Sequence, residues 1–257
     1  MWAVRAMHEA QLHDESCMVT LTYDEENLPH FGSLCPPHFT KFIKRLRHHV
    51  GQVRYLMAGE YGDSVGKRPH YHALIFGWNP ADRNLWFENE GIPTYTSELL
   101  QSIWQMGFTT VSDLTLESAA YVARYALKKV KLSQKSPGEL HGHYERICQI
   151  TGEIRQVQPE YSRMSNRPGI ASDWYTRFNS DIFPYDTTIY KGRKIKTPRY
   201  YENLYRSTDE FGFQKLKETR KARALEHADN NTPERLRVRE TVKRASMRNL
   251  NRSYENS

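Results

Sequence analysis

Two strand-like runs separated by a short polar loop constrain this chain most. Residues 53–61 (VRYLMAGEY) and 70–78 (HYHALIFGW) are apolar and aromatic, and residues 62–69 between them are polar. So short a connection reads as a hairpin with antiparallel strands. Side chains alternate between the two faces of a strand, so His70 and His72 project side by side and Tyr71 goes to the other face. A suitable register then puts Glu60 on the histidine face. Two imidazoles and a carboxylate suit a hard divalent ion, Mg²⁺ or Mn²⁺, with open positions for a phosphate oxygen. Taken alone, the His-x-His pattern is equally a half-exposed strand with two surface histidines.

Further elements flank the hairpin. Residues 17–23 (CMVTLTY) read as a strand, and residues 37–50 place Phe39, Phe42, Ile43 and Leu46 at helical spacing. A helix is expected around residues 97–105 and a strand over 107–114 (GFTTVSDL). The strongest helical pattern is 115–130 (TLESAAYVARYALKKV), with Thr115 as its cap and Glu117 in its first turn. The order strand, helix, strand, strand, helix, strand, helix predicts an α+β domain, a largely antiparallel central sheet with packed helices. Three segments are expected: a core over 1–135, an extension packed on or near it over 136–213, and a basic helical tail over 214–257.

The helix at 115–130 carries a second chemical signal. At ~100° per residue, Ala119, Val122, Ala123, Ala126, Leu127 and Val130 share one face. Tyr121, Tyr125 and Lys128 fall opposite, with Arg124 at the edge, so both tyrosines are expected to stand away from the apolar stripe. A phenol flanked by cations can attack a phosphodiester, because positive charge favours the phenolate. Two amphipathic surface tyrosines are the alternative for this helix alone.

Charge narrows the partner. The chain has 257 residues, a net charge of +7 and a pI near 9.2, a balance that favours nucleic acid. Residues 214–257 hold 12 Lys/Arg against 6 Asp/Glu, most of that excess. The cysteines Cys17, Cys35 and Cys148 are far apart, without the spacing of a disulfide framework or a zinc site, which fits a reducing compartment. No apolar run is long enough to span a membrane, and MWAVRAMHEA has no signal-like core, so a cytoplasmic protein without a membrane partner is expected. Residues 62–68 (GDSVGKR) are one residue short of a phosphate-binding loop and place Arg68 where it needs Ser or Thr, which argues against an ATP-driven helicase.

The motif order MVTLTY, HYH and YVARYALK resembles that of HUH endonucleases: rolling-circle replication initiators, relaxases and related transposases. The segments WAVRAMHEA, CMVTLTYDEENLP, FIKRLR, GEYGD, RPHYHALIFGW, AAYVARYALKK and SRMSNRPGI look like the replication initiators of gokushoviruses, in the Microviridae. The resemblance covers roughly residues 2–205. It implies an RRM-like or ferredoxin-like core with His70 and His72 as metal ligands and Glu60 where related initiators often place a third. It further implies Tyr121 and Tyr125 as paired nucleophiles followed by a lysine, Lys128. It implies a single-stranded DNA endonuclease and strand transferase working through a 5′-phosphotyrosyl intermediate with Mg²⁺ or Mn²⁺. The implied partners are viral single-stranded DNA, the replicative-form origin, and the helicase and polymerase of the bacterial host, in whose cytoplasm it would act. A cysteine-containing segment that usually precedes Trp-x-x-Arg in such proteins is not seen ahead of Trp2, through a shortened start or a true lack. A related transposase or relaxase, and a non-catalytic basic single-strand binder, are the alternatives.

Overall fold

The computed structural model describes residues 1–62, 68–125, 144–148 and 150–248, leaving out the side chains of Tyr125 and Arg248. Helix α1 (Trp2–Ala10) precedes strand β1 (Ser16–Thr22), and α2 (Pro36–Val50) precedes the hairpin β2 (Arg54–Tyr61) and β3 (Pro69–Phe76). A second hairpin, β4 (Asn84–Asn89) and β5 (Ile92–Thr96), leads to α3 (Glu98–Trp104), β6 (Thr109–Asp113) and α4 (Leu116–Tyr125). Strands β7 (Glu145–Ile147) and β8 (Ile154–Gln156) pair with each other, and β9 (Tyr161–Met164) follows. Helix α5 (Ser172–Ile182), the hairpin β10 (Thr187–Tyr190) and β11 (Arg193–Lys196), and helices α6 (Arg199–Thr208), α7 (Glu210–Glu226) and α8 (Pro233–Arg248) complete the described chain.

The main sheet has the order β4-β5-β6-β1-β3-β2-β9, and its described ladders are all antiparallel. The fold is therefore α+β, as the sequence predicts. Helix α1, the β4–β5 hairpin and β9 were not expected from sequence. The hairpin is polar and half exposed, so it lacks the alternation of a buried strand. Strand β9 is recruited by pairing with β2 about a hundred residues earlier, with Gly59 opposite Tyr161.

Alternation sorts the side chains of the sheet into two layers. Val19, Leu21, Met57, Tyr71, Ala73, Ile75 and Val111 point to one side and pack with Phe39, Phe42, Ile43 and Leu46 of α2 and Leu100, Ile103 and Trp104 of α3. Full burial of each such side chain contributes ~1.5–3 kcal/mol. Tyr71 adds a polar anchor in this layer. Its hydroxyl donates to the Cys35 carbonyl at 2.9 Å and accepts the Cys35 N–H at 2.9 Å, tying β3 to the start of α2.

The opposite side of the sheet is covered by α4, which packs on β2 and β3 and is itself covered by α1. Thr115 and Ser118 exchange hydrogen bonds at the start of α4, where Ser118 N–H donates to Thr115 Oγ1 and Thr115 N–H to Ser118 Oγ. Helix α1 is held by Arg5, which donates twice to the Ile170 carbonyl, and by Glu9, which pairs with Arg54 and accepts the Ala171 N–H. His8 stacks on Trp174 with ring centroids 3.6 Å apart. Gly107 lets β6 approach β1 closely: its φ is +140°, and a β-carbon there would run into the backbone of Thr22 and Asp24.

The chain divides into two compact units, Trp2–Trp174 and one containing Tyr175–Ser257, the division falling inside α5. In the second unit Arg220 of α7 binds Asp186 and Glu202, and the rings of Phe183 and Tyr205 stack at 4.1 Å. No described helix is long and apolar enough to cross a membrane.

Candidate functional site

Register brings three ligand-bearing side chains together. Glu60 on β2 lies directly opposite His70 on β3, and His72 follows on the same face. Their donor atoms lie within 4.8 Å of one another. Glu60 Oε1 sits 2.8 Å from His70 Nε2 and 2.9 Å from His72 Nε2. The two imidazoles stand nearly perpendicular, with centroids 4.8 Å apart. Glu60 and His72 are buried, whereas His70 lies on the open side of the group.

The outer nitrogens of the imidazoles are already engaged. His70 Nδ1 lies 3.1 Å from the Arg68 carbonyl, and His72 Nδ1 lies 3.0 Å from Thr20 Oγ1. A carbonyl can only accept, so His70 Nδ1 carries the proton and its Nε2 presents a lone pair toward Glu60. Thr20 lies directly opposite His72 across β1 and β3, so the ladder sets this contact. Partners of this kind fix ring orientation and tautomer in metal sites. Thr20 belongs to the MVTLTY segment, but residue type alone gives no reason to single it out.

Charge states favour ligation. Burial raises the Glu60 carboxyl, but hydrogen bonds to His70 and His72, with their positive charge, outweigh it and leave the carboxyl below its ordinary value. Burial holds the His72 imidazole below its ordinary value, against the opposing pull of Glu60. At neutral pH the pair is therefore a carboxylate and a neutral imidazole. Glu60 Oε2 is buried with no hydrogen-bond partner, an arrangement that costs free energy unless something binds there. A divalent cation satisfies that oxygen, and one carboxylate with two imidazoles is a donor set it accepts.

Tyr121 corrects one expectation. It does not stand off the core. It is buried in the layer between α4 and the sheet, and its hydroxyl donates to Glu60 Oε1 at 3.2 Å and lies 3.2 Å from His72 Nε2. The amphipathic reading assumed one buried face, whereas α1 covers α4 from behind, so Ala119, Val122 and Tyr121 are all buried. The Arg124 guanidinium lies 5.6 Å from the centre of the Tyr121 ring. Tyr125 is the last described residue of α4; its side chain, and all of Lys128, lie outside the described residues.

An antiparallel sheet that buries a histidine–histidine–carboxylate group beneath a tyrosyl hydroxyl defines an α+β protein with a candidate metal-binding centre. The particular family follows from sequence comparison. The family profile for the replication-associated protein ORF2 matches residues 16–130, a span from β1 through α4 that contains the whole group. The chain is 33% identical over 215 residues to "Replication-associated protein VP4" of Bdellovibrio phage phiMH2K, covering 79% of this chain and 62% of that one. It is 31% identical over 237 residues to "Replication-associated protein ORF2" of Spiroplasma virus 4, covering 85% and 68%. It is 28% identical over 214 residues to "Replication-associated protein ORF4" of Chlamydia phage 1, covering 79% and 49%. The chain belongs to this replication-associated protein family, and it spans about half to two thirds of the length of these relatives. No solved structure matches it.

Proposed function

We propose that this chain nicks and rejoins single-stranded DNA to start rolling-circle replication of a small single-stranded DNA phage. The observation that carries the proposal is the Tyr121 hydroxyl, held 3.2 Å from two members of the buried Glu60–His70–His72 group. Binding of DNA alone gives no reason to bury a carboxylate, two imidazoles and a phenol in mutual contact. Membership of a replication-associated family favours an initiator over a transposase or relaxase.

Glu60, His70 and His72 would hold Mg²⁺ or Mn²⁺, and the ion, when bound, supplies positive charge that polarises the scissile phosphate. Thr20 and the Arg68 carbonyl keep the two rings turned so that Nε2 faces inward. The Tyr121 O–H points at Glu60 Oε1, so its proton has an acceptor in place as the phenolic oxygen attacks phosphorus. The new bond joins that oxygen to phosphorus. The bond from phosphorus to the 3′-oxygen breaks, and this oxygen leaves as a hydroxyl after taking a proton. A 5′-phosphotyrosyl link results, while the free 3′-hydroxyl primes a polymerase. The link stores the energy of the broken bond, so rejoining needs no ATP. Tyr125, one turn along α4, would be the second nucleophile, cutting the regenerated origin and releasing a circle.

The test is incubation of end-labelled viral-strand fragments with the protein and Mn²⁺, followed by denaturing electrophoresis. Site-specific cleavage with a protein-linked 5′ end, lost in EDTA, is expected. Binding without any covalent adduct would leave only a basic single-strand-binding protein.

A further inference from the structure

An open basin of about 680 Å³ lies at the far end of β2 from the histidine group, lined by Arg47, Arg54 and Arg167 together with Gln52, Tyr55 and Asn166. Two of its arginines are fixed. Arg47 donates through Nε and Nη2 to the Val53 carbonyl, and Arg54 donates to Glu9 and to the Pro168 carbonyl. A guanidinium has five N–H donors in a rigid fork, so each keeps its Nη1 group for a ligand and loses little freedom on binding one. Arg167 is exposed and has no partner among the described residues. Glu9, the carboxylate beside the basin, is committed to Arg54, His13 and the Ala171 N–H. Three cations against one paired carboxylate leave a positive basin.

Its position selects the ligand. Arg54 and Glu60 stand on the same strand and the same face six residues apart, which is ~20 Å at strand rise. The middle of that face, Leu56 and Ala58, is fully buried, so a ligand joining the two ends follows the β9 edge. That edge carries the exposed Arg163, whose guanidinium lies 5.5 Å from the Tyr161 ring centre. Amides and a tyrosine among the arginines suit a nucleotide better than a bare anion.

We infer that this basin is a second nucleic-acid contact, gripping a phosphodiester of single-stranded DNA about six nucleotides from the scissile position at ~3.4 Å per nucleotide. The inference rests on the single-strand reading given under Proposed function. It assigns to SRMSNRPGI, the segment that contains Arg167, a role in holding the strand.

The experiment is fluorescence anisotropy in EDTA, so that cleavage plays no part, with labelled (dT)5 and (dT)20. Wild type should bind (dT)20 more tightly than (dT)5. Arg167→Glu, at a side chain with no described partner of its own, should weaken (dT)20 about tenfold, as expected for losing a hydrogen bond to a charged group. It should also make the salt slope shallower by roughly 0.7 and leave (dT)5 within about twofold. Lys191→Glu carries the same charge change in the second unit and should leave both affinities unchanged. Equal losses from Lys191→Glu and Arg167→Glu would reduce the effect to net charge and overturn the inference. So would an unaltered (dT)20 affinity in Arg167→Glu, or displacement of (dT)20 by inorganic phosphate at matched ionic strength, the mark of a small-anion site. Failure of wild type to bind either length would overturn the single-strand reading itself, whereas loss of length dependence alone overturns only the basin.

Discussion

Glu60 concentrates the chemistry of the site on one atom. Its Oε1 meets both imidazoles and the Tyr121 hydroxyl, while its Oε2 meets nothing among the described residues. If the group holds a divalent ion, the double variant His70→Ala/His72→Ala should lose Mn²⁺ binding by calorimetry and all nicking, while keeping most of its DNA affinity. Undiminished cleavage by that variant would rule the group out. Thr20→Val removes the partner of His72 Nδ1 and should weaken Mn²⁺ about 10–100-fold, with little change in thermal stability. The phenols are tested separately. Tyr121→Phe and Tyr125→Phe should each retain some single-turnover cleavage but fail to release closed circles, and the double variant should form no adduct on peptide mapping. A link found only at Tyr125 in every active variant would reduce Tyr121 to a supporting role. The ligand triad was legible because strand period and a short hairpin loop put Glu60 opposite His70. The setting of Tyr121 was not, because the periodicity of a single helix says nothing about a second helix packed over its back.

Among the elements, α1 was hidden in the sequence for a related reason. It buries Arg5, His8 and Glu9, residues usually read as surface, and each is satisfied by partners near residues 170–174 that are remote in sequence. This has a consequence for pH. Burial lowers the His8 imidazole from 6.5 to about 4 in the folded chain. As pH falls through about 6.5 the unfolded chain takes up a proton that the folded chain refuses until about pH 4. The contribution of a neutral His8 is thus complete above pH 6.5 and lost between about 6.5 and about 4, in all of the order of 2–3 kcal/mol. The melting temperature should fall over that window, and His8→Phe, which keeps a ring on Trp174, should flatten the fall. Parallel melting curves for the two proteins would place the acid sensitivity elsewhere. Strands β1, β2, β3 and β6 and helices α2 and α3 were readable from period and caps, whereas β4, β5 and β9 depend on neighbours that sequence pattern does not reveal.

For the whole molecule, the excess positive charge sits largely in residues 214–257, and the described part of α8 exposes nearly all its side chains. Deleting residues 214–257 should flatten the salt dependence of DNA affinity, by roughly 0.7 in log–log slope for each phosphate no longer neutralised, and spare nicking of a short oligonucleotide. An unchanged slope would assign the tail to solvent or to a protein partner. The pairing of β2 with β9 carries a consequence of another kind, about time. Gly59 waits for Tyr161, and α1 waits for Ile170 and Ala171. At ~5–20 residues per second of synthesis, the hairpin that bears the histidines emerges several seconds before the strand that closes its edge. During that interval the nascent chain exposes an unpaired β2, the kind of edge that invites a neighbouring copy to pair with it, so dense translation of this message is expected to be its moment of greatest aggregation risk.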